Sequence, residues 1–378
     1  MTAPRRKKRR SPTHVERATE KTGHTPGRVP ATARAISRSR ALRTAFALGV
    51  GGTVALLAAG LYQSLRTEGR LPGISTVYMR YIESLFDAGR HEEALDQLHL
   101  ARTLDIVNEP LVLNNLANAM QAQGKTSEAI AYYGEAIRIQ PDYAMAYYNL
   151  AKALAEQGDA ARAVELYRTA VELDPDHVDA HNNLANLLAG QGVVEEAISH
   201  YERALSLQPD NAVAHNNLAN VLAVHGPVEQ AIRHYEQALR LQPDNAAAHN
   251  NLAWVLKGAG RRDEALPHFQ EAVRLQPDFA SPLMGLSWLL STHPEDARRD
   301  PERALELAGR ALELLPATDP RSLDIAAAAH AAVGDYDRAV ELARAAADLA
   351  PPNFPESQAI QERLALYHQC QPYREGPQ

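Results

Sequence analysis

One glycine recurs every 34 residues along the middle of the chain, at Gly124, Gly158, Gly192, Gly226 and Gly260. A proline keeps the same interval at Pro141, Pro175, Pro209, Pro243 and Pro277, and so does an aromatic at Tyr133, Tyr167, Tyr201, Tyr235 and Phe269. Five copies in phase at three independent positions restrict the fold severely. A unit of this length is one supersecondary element, too small to bury its own apolar face, so it must stack on its neighbours. The 378 residues would otherwise suggest two or three domains, but the repetition overrides that expectation.

Apolar residues between these markers keep helical spacing. Each unit therefore reads as helix A, a turn at the glycine, helix B and a proline-led junction. Small residues stand where helices must approach closely: Ala117, Ala151, Ala185, Ala219 and Ala253 in helix A, and Ala129, Ala163, Ala197, Ala231 and Ala265 in helix B. A second helix-B row is Ala136, Ala170, Ala204, Ala238 and Ala272. A larger side chain in any row would overpack the contact. Leu116, Leu150, Leu184, Leu218 and Leu252 supply the bulk between them. Pro227 suits the first turn of helix B in its unit, and the acidic residue after each junction proline is a candidate cap for the next helix A. Pro267 falls inside a helix B, where it should remove a hydrogen bond and kink the helix. With the extra residues of the following unit, it predicts an irregular bend near 258–300.

Together these positions resemble the tetratricopeptide (TPR) family. The resemblance is strongest over 109–278, in five regular units. Residues 71–108 fit a degenerate first unit, 279–351 two divergent units, the first with an insertion at 291–303, and 352–378 a capping helix and tail. The fold class this implies is all-α: a right-handed superhelical solenoid of antiparallel helix pairs, here preceded by one transmembrane helix. The resemblance further implies that helix A lines the concave side. On that side Asn115, Asn149, Asn183, Asn217 and Asn251 form a column at the repeat interval, with Asn118, Lys152, Asn186, Asn220 and Trp254 one turn on. Tyr148 and Trp254 add apolar surface. An amide offers both donor and acceptor, so such a ladder can hold an extended peptide by its backbone. The strings HNNLANLL and HNNLANVL are similar to the asparagine ladder in the TPR half of O-linked N-acetylglucosamine transferases. No transferase half follows the repeats in this sequence, and no sugar transfer is expected. Two roles stay open for the ladder, holding a peptide or fixing the repeats against one another by hydrogen bonds. Whether the inner face is filled by the chain's own tail or by another chain also stays open, as does self-association.

The net charge of −7 conceals two regions. Residues 1–43 carry 13 Lys and Arg against 2 acidic residues, a net +11, and the remainder is −18. The leader is poor in large apolar residues and rich in Pro, Ser and Thr, a disordered composition. Its basic run Arg5–Arg10 fits anionic lipid better than nucleic acid, since no folded nucleic-acid motif accompanies it. Between Arg43 and Arg66 lie 22 uncharged residues, long enough at about 1.5 Å per residue to cross the bilayer core. Residues 44–65 are thus expected to form a transmembrane helix. A cleaved signal peptide and a buried helix are the competing readings. The positive-inside rule then places the N-terminus in the cytoplasm and the repeats beyond a bacterial inner membrane.

Chemistry is thinly represented. One cysteine, Cys370, excludes an internal disulfide and a cysteine-based zinc site. His181, His215 and His249 recur at the repeat interval, as do His200, His234 and His268. Successive members of either row are about one helix-pair apart, too far to share a metal ion, and are read as packing or surface residues. No HExxH, phosphate loop or nucleophile elbow is present. No catalytic activity, metal or cofactor is expected. The sequence thus reads as a membrane-anchored adaptor binding a segment of a partner protein. The alternatives are an accessory subunit of a glycosylation or polysaccharide-export system and a purely structural spacer.

Overall fold

The computed structural model describes residues 110–315, 319–351 and 353–376, with scattered positions between 81 and 97. The chain divides into two units, 1–108 and 109–378. The second unit is a stack of helix pairs. Its A helices are α1 (Pro110–Ala122), α3 (Ala144–Glu156), α5 (Val178–Gly190), α7 (Ala212–His225), α9 (Ala246–Gly258), α11 (Ala280–Thr292) and α13 (Pro320–Ala332). The B helices that alternate with them are α2 (Thr126–Ile139), α4 (Ala160–Leu173), α6 (Val194–Leu207), α8 (Val228–Leu241), α10 (Arg262–Leu275), α12 (Pro301–Leu314) and α14 (Tyr336–Leu349). α15 (Ser357–His368) packs on α14 and α13 and closes the array.

Every helix packs on the next one in sequence, and the A helices of successive units also approach one another at α1/α3, α5/α7, α7/α9, α9/α11 and α11/α13. The B helices are not brought together to the same extent, so they fan outward and the A row lines the inner side of the curve. Alanines set these distances. All five residues of the helix-A row and of the first helix-B row have no solvent exposure, and the second helix-B row is at most 2% exposed. The five B-helix aromatics are equally buried. Leu150 departs from its column by being only partly buried.

The junctions differ from expectation in three places. Gly124, Gly158, Gly192 and Gly260 have φ of +75° to +86°, the left-handed turn that ends helix A without a Cβ penalty. Gly226 does not: its φ is −121° and ψ −168°, because the following Pro227 forces its predecessor into an extended conformation. Pro227 itself is the cap residue just outside α8, not part of its first turn. The A-helix caps fall on the residue after the expected acids. Asn211 and Asn245 accept from Ala214 N and Ala248 N, each at 3.0 Å, and His177 occupies the same place before α5. Pro267 is exposed within α10, which nevertheless runs the same fourteen residues as its counterparts. At its sixth helical position Pro267 deletes only the bond to Asp263 O, near the helix start. The insertion carries a short 3₁₀ turn, Asp296–Arg298, and Asp300 caps α12.

The transmembrane helix at 44–65 needs correction. Among the described residues no helix is long and apolar enough to cross a membrane, and 44–65 lies outside them. The membrane anchor, the membrane as a partner and the inner-membrane location are withdrawn with it. The architecture on which function is argued is the all-α solenoid.

Candidate functional site

The inner face is built from the asparagine column and the residues one turn further along each A helix. Tyr133, Tyr201 and Tyr235 reach from the B helices and donate their hydroxyls to Asn118, Asn186 and Asn220 at 2.5–2.6 Å. Burial pushes these phenols well above their ordinary pKa, so they stay protonated donors. The same carbonyls tie the repeats together: Asn217 Nδ2 donates to Asn186 Oδ1, and Asn251 Nδ2 to Asn220 Oδ1, both at 3.0 Å. Asn149 Nδ2 donates to Asn114 Oδ1 at 2.9 Å, whereas Asn183 Nδ2 donates to the Tyr148 hydroxyl at 3.4 Å.

The column residues Asn115, Asn149, Asn183, Asn217 and Asn251 are all partly buried. For Asn149, Asn217 and Asn251, one amide N–H is committed to the preceding repeat. The second N–H has no partner among the described residues. Beside the column, Asn182 Oδ1 and Asn216 Oδ1 are buried acceptors without a hydrogen bond. Asn182 also lines a recess of about 460 Å³ with Asp179, Asp210 and Asn211.

Two positions depart from this pattern. In the fifth regular unit the B-helix aromatic is Phe269, which has no hydroxyl to give, and the A-helix partner is Trp254 in place of asparagine. The two rings meet edge-on at 5.3 Å, and Trp254 Nε1 donates to Ser281 Oγ in the next unit at 3.0 Å. In the second unit Lys152 takes the asparagine position and points to solvent. There Tyr148 packs its ring against Tyr167 at 5.8 Å and against His177 at 4.5 Å. Tyr148 and Trp254 thus serve packing as well as presenting surface.

The histidine rows pair across the helices of one unit. His181, His215 and His249 face His200, His234 and His268, each pair Nδ1 to Nδ1 at 2.9 Å. The Nε2 of each A-helix histidine lies 3.0–3.1 Å from the carbonyl of Pro175, Pro209 or Pro243. A carbonyl only accepts, so that nitrogen carries the proton, and Nδ1 must accept from the B-helix ring. Burial lowers the pKa of His181, His200, His215, His234 and His268. These neutral pairs staple helix A to helix B and to the proline junction. Among the described residues no group of three or more His, Cys, Asp or Glu is placed to hold a metal ion.

Comparison with known proteins agrees with this geometry. One tetratricopeptide-repeat profile matches 114–178, 150–212 and 182–227, a second matches 210–278 and a third 320–345. The chain belongs to the tetratricopeptide-repeat family. Among solved structures, the TPR solenoid is similar to Pseudomonas aeruginosa pilF, at 24% identity and a TM-score of 0.50 over 58% of this chain and 96% of that one. It is also similar to YrrB, described as a TPR protein with an unusual peptide-binding site (21% identity, TM-score 0.43, 47% and 91% covered). MamA from Desulfovibrio magneticus RS-1 is a third (22% identity, TM-score 0.43, 46% and 98% covered). At 24% identity the likeness to pilF speaks for the fold alone. No curated protein matches the chain.

Sequence reasoning about this TPR array missed two features. The histidine pairs lie 19 residues apart, and only comparison between A and B rows would have joined them. The segment 371–376 returns to α11, more than 80 residues upstream, and no sequence signal announced it.

Proposed function

We propose that this protein is a non-catalytic TPR scaffold whose inner face, over the regular units, binds an extended segment of a partner protein. The observation that carries the reading is the unspent hydrogen-bonding capacity in register along the A helices. Asn149, Asn217 and Asn251 retain one N–H each. The carbonyls of an extended peptide backbone can accept from these N–H groups with little dependence on side chains.

A second reading is favoured by the inter-repeat bonds from Asn217 to Asn186 and from Asn251 to Asn220. In it the ladder serves only to stiffen a spacer. The test is capture of partners by the tagged full-length protein beside a variant carrying Asn149→Ala, Asn183→Ala and Asn217→Ala, after circular dichroism shows the variant to be equally helical. Loss of a specific partner from the variant supports the groove. An unchanged set of partners with a lowered unfolding midpoint supports the spacer.

A further inference from the structure

The segment 371–376 is seated on the A-helix face beyond the asparagine column. α15 ends at His368, and two residues on the chain reverses at Cys370, the one described non-glycine residue with positive φ, +55°. Gln371 N closes the turn by donating to Leu366 O at 3.0 Å. The segment then runs back to α11. Glu375 N donates to Thr292 O at 2.9 Å and the Arg374 guanidinium to Ser291 O at 2.8 Å, using carbonyls that the end of α11 leaves unpaired. Tyr373 packs its ring 5.8 Å from that of Trp288.

The Glu375 carboxylate enters a built pocket. Trp288 Nε1 donates to one oxygen at 2.7 Å, Arg262 Nε donates to the other, and Lys257 Nζ stands 3.9 Å away. The side chains of Arg262 and Glu375 are only 13% and 12% exposed. Lys257 lies 5.3 Å from the Trp254 ring and 5.2 Å from the Trp288 ring, between the two indoles. Burial pulls the Lys257 pKa down, and the neighbouring carboxylate opposes that shift. Two sheltered cations and an indole N–H therefore converge on one carboxylate. Without it they would be buried charges lacking a counter-ion, which is costly.

Trp288 stands 34 residues after Trp254, at the repeat position that Asn186 and Asn220 hold in earlier units. The pocket is therefore a continuation of the inner face and not a separate surface. We propose that Lys257, Arg262 and Trp288 form a carboxylate-binding subsite of the groove for an acidic residue of a partner's extended segment, with Glu375 seated there as an internal stand-in that the partner displaces. This rests on the peptide-groove reading above. Charge complementarity selects the ligand: the groups that meet the Glu375 carboxylate are an indole N–H and two cations, and a neutral amide would supply those cations no counter-charge.

The test uses the full-length chain with a nitroxide on Cys370, a free and exposed thiol next to the segment. The label should be restricted in the parent and mobile in Glu375→Lys, where the new charge meets Lys257 and Arg262. Fluorescent peptide QPYREGPQ, the sequence of 371–378, is then added in trans and read by anisotropy. The released chain should bind it at least tenfold more tightly than the parent does, and the peptide with Gln for Glu should lose at least tenfold. An unrelated Gly-Ser octapeptide carrying one Glu should likewise bind better than its Gln counterpart. The proposal is overturned by a label that stays restricted, by equal binding of Glu and Gln peptides, or by a preference confined to the tail sequence, which would make the segment only a cap. If Glu375→Lys folds poorly, Glu375→Gln replaces it with the same readouts. Adding Asn149→Ala, Asn183→Ala and Asn217→Ala should leave capture of QPYREGPQ intact, so failure of the ladder and failure of the pocket are separable.

Discussion

Asn186 is where a bond within a repeat and a bond between repeats share one atom. Its Oδ1 accepts from Tyr201 at 2.5 Å and from Asn217 at 3.0 Å. Tyr201 is 2% exposed, whereas Asn186 is open to solvent. Water therefore reaches the hydroxyl when the amide is removed, and Asn186→Ala should cost about 1–1.5 kcal/mol, the low end for an orphaned donor. Tyr201→Phe removes the hydroxyl and one hydrogen bond, again about 1 kcal/mol. Once either partner is gone, the other's contribution is largely gone too. The double variant should fall short of the summed single effects by about 1 kcal/mol, a coupling typical of residues in direct contact. Equilibrium urea unfolding, compared at a constant slope, measures this. Asn186→Trp with Tyr201→Phe copies the Trp254–Phe269 pair and should be more stable than Asn186→Ala with Tyr201→Phe. Additivity within about 0.3 kcal/mol would show that the tyrosine–asparagine bond contributes nothing, and the account of the Asn, Lys and Trp positions would fall with it.

The histidine pairs make stability depend on pH. The folded pKa values of His181, His200, His215, His234 and His268 lie below the unfolded value, so the unfolded chain binds more protons as pH falls, and stability present above about pH 6.5 is lost on acidification. The urea midpoint should be lower at pH 5 than at pH 7.5, and His181→Gln and His215→Gln together should flatten that slope. Gly158→Ala places a Cβ at φ +86° and should destabilise by about 1 kcal/mol, while Gly134→Ala, in mid-helix with open space around it, should stabilise by about 0.5–1 kcal/mol, both read from unfolding midpoints. Gly285→Ala would put its methyl 2.3 Å from the Phe269 ring, and a loss of about 1–3 kcal/mol is expected in the same assay.

The membrane reading shows where composition misleads. Residues 44–65 offer length, lack of charge and a basic flank, but no repeated packing partner. Within the repeats, each position recurs in four further copies, and a contact side chain such as Ala185 or Ala219 must suit the same neighbour every time. The caps were misplaced by one residue because Asp, Asn and His are all acceptable there, and only backbone geometry separates Asp210 from Asn211.

The period, the helix pairs, the alanine contacts and the asparagine column follow from local sequence, because in a solenoid each unit touches only its neighbours and the 34-residue interval already encodes which residues face them. Tertiary structure decided what those side chains bond to. An asparagine 31 residues from its acceptor, a histidine 19 from its partner and a glutamate 113 from the arginine that holds it are brought together by the curvature of the stack and by one reversal at Cys370. Periodicity can place a residue on a face, but hydrogen bonds are directional within a few tenths of an ångström, and that precision exists only once the helices are packed.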